Sequence, residues 1–124
     1  DVHRREALGL FPEGIQVEQE SVRRSHERDG MLWMLGQIGA SPADPCNARQ
    51  VIEVLHRALA ACQSMLAAVQ LDDLMGEVEP VNIPGTYREY PNWRRKLRDP
   101  IEEIFRDPRW AALKATMREA GRSD

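Results

Sequence analysis

Apolar residues recur at helical spacing in three places along this chain and lose that spacing in two others. From about Val17 to Ile38 the apolar positions Val22, Trp33, Leu35 and Ile38 are diluted by the run Arg23-Arg24-Ser25-His26-Glu27-Arg28-Asp29. That pattern predicts a helix half facing solvent in its first turns and apolar from Met31 to Ile38. Gly39 stops it. In Ser41-Pro42-Ala43-Asp44-Pro45 the expected connection ends with Asp44 as the next N-cap and Pro45 at the first helical position. Val51, Val54, Leu55, Ala58, Leu59 and Cys62 then form an apolar stripe at i, i+3, i+4, i+7, i+8 and i+11, which predicts a helix through about Cys62. Asp99-Pro100-Ile101-Glu102 reads as an N-cap, a first-position Pro and the Glu of a capping box. Asp107-Pro108 repeats the start signal for a last helix, Arg109 to Ala120, with Trp110, Leu113 and Met117 as its stripe and Gly121 as a left-handed terminator.

The first irregular stretch, Met65-Leu66-Ala67-Ala68-Val69, is a short apolar run that periodicity alone does not assign. It is open to three readings: helical, frayed, or a strand paired between molecules. The second stretch, 80–97, reads Pro-Val-Asn-Ile-Pro-Gly-Thr-Tyr-Arg-Glu-Tyr-Pro-Asn-Trp-Arg-Arg-Lys-Leu, and neither a helix nor a strand explains its residue choices. Pro84-Gly85 predicts a turn, since Pro fixes φ near −65° at one central position and Gly supplies the positive φ of the next. Asn82 and Asn92 flank it with amides that both donate and accept. Tyr87, Tyr90 and Trp93 share the loop with Arg88, Arg94, Arg95 and Lys96, in a chain only 6% aromatic. Amides, flat rings and guanidinium forks suit a polyhydroxylated ligand; the plainer reading is a surface connection pinned to the core by Trp93 and Tyr90.

Composition narrows the classes. At 124 residues there is room for one domain and one modest core. A net charge of −3 argues against an electrostatic nucleic-acid binder. No apolar run approaches membrane-span length and no charged-then-apolar leader opens the chain, so neither a membrane partner nor secretion is expected. A first residue that is Asp fits a chain cut from a longer one. Cys46 and Cys62 stand at opposite ends of one predicted helix, about 24 Å apart at 1.5 Å per residue, too far to pair. Both read as small hydrophobes rather than nucleophiles.

His3, His26 and His56 are scattered without zinc-site spacing, so neither a metal nor a cofactor is expected. Asp72 and Asp73 are adjacent and so point different ways, which removes a facing carboxylate pair. Asp73 is expected to cap the turn Leu74-Met75-Gly76 or to orient the loop, and Glu77-Val78-Glu79 to be solvated.

Gln70-Leu71-Asp72-Asp73-Leu74-Met75-Gly76, Glu79-Pro80-Val81-Asn82-Ile83-Pro84-Gly85-Thr86 and Tyr90-Pro91-Asn92-Trp93-Arg94-Arg95-Lys96-Leu97 together resemble the last barrel segment of bacterial 4-α-glucanotransferases, also called amylomaltases or disproportionating enzymes. The resemblance continues more weakly through Asp99-Pro100-Ile101-Glu102-Glu103, and Arg5-Glu6-Ala7-Leu8-Gly9-Leu10 is similar to the segment that follows the family's third catalytic carboxylate. It implies a (β/α)8 barrel enzyme that moves α-1,4-glucan segments between maltodextrins by a retaining mechanism, with one carboxylate as nucleophile and a second as acid and then base. In such enzymes the nucleophile, the acid/base and the stabilising aspartate precede the point that aligns with Asp1. The resemblance therefore implies a cytoplasmic C-terminal segment, 1–124, without catalytic residues: mainly α in the isolated chain, with one short strand at about 65–69 where the family places its eighth barrel strand.

Within that segment, 77–97 would be a glucan-cleft loop at the C-terminal face of the barrel and 99–121 a helical tail. Asn82, Pro84 and Gly85 match the family's cleft-lining loop, Asn82 bonding glucose hydroxyls and Tyr87 or Tyr90 laying a ring on a sugar face. Asp73, Asn92 and Trp93 would support the loop, Trp93 by packing beneath it. Maltooligosaccharides are the implied partners, and self-association is expected of helices that have lost the barrel they cover. The alternatives are an independent helical protein-interaction module and a free-standing carbohydrate-binding unit.

Overall fold

The computed structural model describes residues 2–122, which form six helices and, among the described residues, no strand. They are α1 (Val2–Ala7), α2 (Val17–Gln37), α3 (Ala48–Ala61), α4 (Leu71–Met75), α5 (Ile101–Ile104) and α6 (Pro108–Glu119). The chain divides into two compact units, one built from the residues up to Trp33 together with Pro80–Lys96, the other from Met34–Glu79 together with the residues from Leu97 onward.

In the first unit α1 ends at Gly9, whose φ of 63° lets the Leu10 amide donate to the Arg5 carbonyl at 2.9 Å. The Arg5 guanidinium then lies 5.4 Å from the centre of the Phe11 ring. Along the polar turns of α2, Arg23 bridges Glu20 and Glu27, and Arg24 reaches Glu27 at 3.2 Å. Those i,i+3 and i,i+4 pairs support a stretch that buries almost nothing. The helix stops at Gly39, as its sequence predicts, with φ 71° and the Ala40 amide on the Leu35 carbonyl.

In the second unit α3 packs against α6, and so does α4. The start of α3 differs from the expectation. Asn47, not Asp44, is the N-cap, accepting from the amides of Arg49 and Gln50. The Asp44 carboxylate is already occupied by the Cys46 amide at 2.9 Å, so Asp44 closes a turn before the helix begins. The buried face of α3 consists of Val54, His56 and Ala60, whereas Leu59 and Cys62, both in the predicted stripe, are exposed. Neither cysteine forms a disulfide.

α6 begins where expected: Asp107 caps it and Pro108 holds its first turn. Its far end is the left-handed Gly121, with the Arg122 amide on the Met117 carbonyl at 2.9 Å. Arg122 then reaches back to the end of α3, its guanidinium donating to the carbonyls of Ala60, Cys62 and Ser64. One cation thus satisfies carbonyls that the helix end leaves without intrahelical partners. The start of α5 differs from the expectation again, since Pro100 occupies the cap position and no side chain caps the helix.

The run 65–69 forms neither helix nor strand; Met65 is 96% and Leu66 85% exposed. An extended apolar segment becomes a strand only when a neighbour takes its amides and carbonyls. Among the described residues no such ladder exists.

Candidate functional site

The loop 80–96 holds itself together by hydrogen bonds rather than by a hydrophobic core of its own. Pro84 and Gly85 are the central residues of a turn closed by the Thr86 amide on the Ile83 carbonyl at 3.2 Å, with Gly85 at φ 90°. A Cβ at Gly85 would stand 3.2 Å from Leu10 Cδ2, so both the dihedral and the close approach call for glycine.

Asn92 is the hub. Its Oδ1 accepts from the Ile83 amide at 2.8 Å, and its Nδ2 donates to the Thr86 carbonyl at 3.0 Å and to Thr86 Oγ1 at 2.8 Å. Thr86 Oγ1 in turn donates to the Ile83 carbonyl at 2.7 Å. A second tie comes from the Tyr90 hydroxyl, which donates to the Pro80 carbonyl. A third is the Trp93 amide on the Val81 carbonyl at 2.9 Å. These bonds satisfy the partly buried side-chain polar groups of Thr86, Tyr90 and Asn92, which lets irregular backbone hold one shape.

Asn82 is half-buried, and its amide makes no hydrogen bond among the described residues, in contrast to that of Asn92. Pro84 and Gly85 form the exposed turn beside it. Tyr87 is 83% exposed, while Tyr90 is half-buried and tethered through its hydroxyl. Both rings line a depression of about 430 Å³ together with Arg88, Pro91 and Arg94. The Arg88 guanidinium lies 5.9 Å from the centre of the Tyr87 ring.

Two of the expected supports differ from their predicted roles. The Trp93 ring does not pack beneath the loop; it is 74% exposed. The residue sits at φ 60°, a left-handed conformation that the bond from its amide to Val81 fixes and that swings the indole outward. Asp73 lies in α4, in the second unit, where its carbonyl accepts the Gly76 amide at 3.2 Å. Its contribution to that turn is made by its backbone.

Two further residues, Thr86 and Glu89, shape the loop without being marked by the sequence pattern. Thr86 completes the bond network around Asn92, and the Glu89 carboxylate accepts from the amides of Tyr87 and Arg88 at 2.8 and 3.0 Å. Those amides, that of Tyr87 first, hold the Glu89 carboxyl below its usual pKa. Spacing gave no signal for Glu89, since the side chains that regularly bond their own local backbone are Ser, Thr, Asn and Asp.

The second unit contains a separate cavity of about 670 Å³ lined by Ile52, His56, Leu74, Leu113 and Thr116, among others. His56 is 8% exposed; burial lowers its pKa, and the nearby charge of Asp73 opposes that shift.

The family profile described as 4-alpha-glucanotransferase matches residues 13–102, a span that contains the whole loop. The chain is 38% identical over 129 aligned residues to the 4-alpha-glucanotransferases of Mycobacterium bovis and Mycobacterium tuberculosis. That alignment covers 96% of this chain but 17% of each relative, so the chain spans about 17% of the length of the curated proteins it matches. The 4-alpha-glucanotransferase of Haemophilus influenzae is 42% identical over 52 residues, which is 42% of this chain and 7% of that protein. No solved structure matches.

Proposed function

Since the chain belongs to the 4-alpha-glucanotransferase family, we propose that it is the C-terminal portion of a cytoplasmic enzyme that transfers α-1,4-glucan segments between maltodextrins. In this reading the transfer is retaining, through a covalent glycosyl intermediate formed on a carboxylate supplied by another part of the enzyme. The present portion contributes helices and the sugar-contacting loop 77–97. It contributes no catalytic carboxylate: Asp72 and Asp73, in the first turn of α4, are adjacent and point different ways.

The observation that carries the reading is the state of Asn82 within a loop that the family match spans without a break. The side chains of Thr86, Tyr90 and Asn92 are consumed in holding the loop's shape, whereas the Asn82 side-chain amide makes no hydrogen bond among the described residues. A half-buried amide without a protein partner is costly unless a ligand or water takes it. Neighbouring hydroxyls of a glucose unit match its paired donor and acceptor capacity. The exposed Tyr87 ring supplies the flat apolar face that stacks on a sugar.

The test is a product analysis on the full-length protein incubated with maltotriose. Disproportionation yields glucose together with maltodextrins longer than the substrate. Glucose and maltose without any longer product would reduce the enzyme to a hydrolase, and an inert full-length protein would remove the reading. The chain 1–124 on its own is expected to produce neither.

A further inference from the structure

The depression beside the loop tip carries a charge pattern that a neutral glucan does not need. Of its five lining residues, Tyr87, Arg88, Tyr90, Pro91 and Arg94, two are cations and none is an acid, in a chain with 20 acidic and 17 basic residues overall. Neither guanidinium is neutralised. The Arg88 side chain rests on the Tyr87 ring, and that of Arg94 makes no ion pair or hydrogen bond among the described residues. The one nearby carboxylate, Glu89, is turned to the backbone, where it accepts the amides of Tyr87 and Arg88. The loop thus removes its only local acid from the depression and leaves two forks facing a space of about 430 Å³.

Arginine presents planar donor pairs that match a phosphate oxyanion, and unpaired arginines flanking an aromatic ring suit a ligand with a flat face and an anionic group. We propose that Arg88 and Arg94 form an anion-accepting subsite, which selects maltooligosaccharides carrying a phosphate monoester over neutral ones. The sugar ring lies on Tyr87 and the ester is held between the guanidiniums. Tyr90, its hydroxyl tied to Pro80, forms the rigid wall. This inference rests on the proposed glucan-binding role of the loop and adds a substrate class to it.

The experiment is calorimetric titration of the full-length protein, at low ionic strength, with maltotriose, maltotriose 6-phosphate and inorganic phosphate. The phosphorylated trisaccharide should bind about tenfold more tightly than maltotriose, with the advantage shrinking as salt is added. In Arg88→Gln/Arg94→Gln the two affinities should converge, and Arg88→Lys/Arg94→Lys, which keeps the charge but loses the fork, should fall between. Far-UV circular dichroism establishes that each variant is folded; the single substitutions replace the double one if it is not. Equal affinities for the two trisaccharides would overturn the subsite and leave the glucan reading standing. A tenfold preference that survives in the Gln variants would place the anion elsewhere, again against the subsite. Inorganic phosphate binding as tightly as the phosphorylated sugar would remove the sugar ester as the ligand. Failure of both trisaccharides to bind would overturn the subsite and the glucan reading together.

Discussion

Asn92 Nδ2 donates to Thr86 Oγ1 at 2.8 Å, and the same Asn92 amide accepts the Ile83 amide hydrogen, so one side chain clamps both ends of the Pro84-Gly85 turn. The arrangement explains how a loop with three aromatics and four cations keeps a defined shape without burying its rings. It also separates the two asparagines. Asn92 is committed to the fold, whereas the Asn82 side-chain amide makes no hydrogen bond among the described residues.

Removing that clamp should loosen the loop without unfolding the protein. Asn92→Ala strips three hydrogen bonds from partly buried groups, and leaving such partners unsatisfied costs about 1–3 kcal/mol. The expected outcome in the full-length protein is faster hydrogen exchange at the amides of Ile83 and Thr86, with exchange in α3 and α6 unchanged. Unchanged protection at Ile83 would assign the loop's rigidity to the Tyr90 and Trp93 ties instead.

Asn82→Ala should act on catalysis rather than on the fold. An amide that pairs with sugar hydroxyls in the transition state is worth about 1–3 kcal/mol, so kcat/KM on maltotriose in the full-length protein should drop by roughly one order of magnitude. The melting temperature should not move. If kcat/KM is unaltered, the Asn82 amide faces water during turnover and the loop is only a support.

Trp93 gives a stability test with an unusual sign. Its ring is exposed, so Trp93→Ala should lack the 3–5 kcal/mol penalty of a buried tryptophan. Its φ of 60° is unfavourable for any side chain and free for glycine. Trp93→Gly should therefore be more stable than Trp93→Ala by about 1 kcal/mol, read from paired denaturant titrations. A large loss in both variants would mean that the indole is covered in the full-length protein.

Asp107 sets a pH dependence. Its hydrogen bonds from the Arg109 side chain first, and then from the Arg109 amide, lower its pKa to about 2 from an ordinary value near 3.8. Because the folded pKa lies below the unfolded one, the stabilisation is present above about pH 4 and is lost as pH falls toward 2. Asp107→Asn should flatten the decline in stability over that interval, measured as melting temperature against pH. The amide still accepts the Arg109 amide hydrogen and so preserves the cap.

These residues also show which parts of the molecule could be read in the sequence. The start of α6 was legible because Asp107-Pro108 acts within one helical turn. The start of α3 was not, because Asp44 and Asn47 compete as caps and the Cys46 amide captures Asp44 first. Arg122 was invisible for a different reason: its partners, Ala60, Cys62 and Ser64, lie about sixty residues earlier. In the loop, Pro84-Gly85 announced the turn through its own dihedral limits. The outward Trp93 ring was hidden, since its left-handed conformation is fixed by a tertiary bond to Val81. The run 65–69 has the composition of a strand, but strand formation needs a pairing partner that no local pattern provides.

That unpaired run sets the behaviour expected of the isolated chain. Met65 and Leu66 are almost fully exposed, and the run they open forms neither helix nor strand. They line a cavity of about 1120 Å³ with Phe105, Trp110, Leu113 and Met117, all apolar and all in the second unit. Exposed apolar surface of this kind drives association, and extended segments with free amides and carbonyls offer a template for pairing. Exchange of an identical segment between copies is a low-cost route to a dimer. Chain 1–124 should therefore form a mainly helical dimer or higher oligomer, detectable as a mass in light scattering that rises with concentration. Met65→Asp/Leu66→Lys puts opposite charges on the run without touching a helix, and should shift the chain toward the 14.2 kDa monomer. A wild-type chain that stays monomeric at every concentration would show that the second unit closes over its own apolar groove.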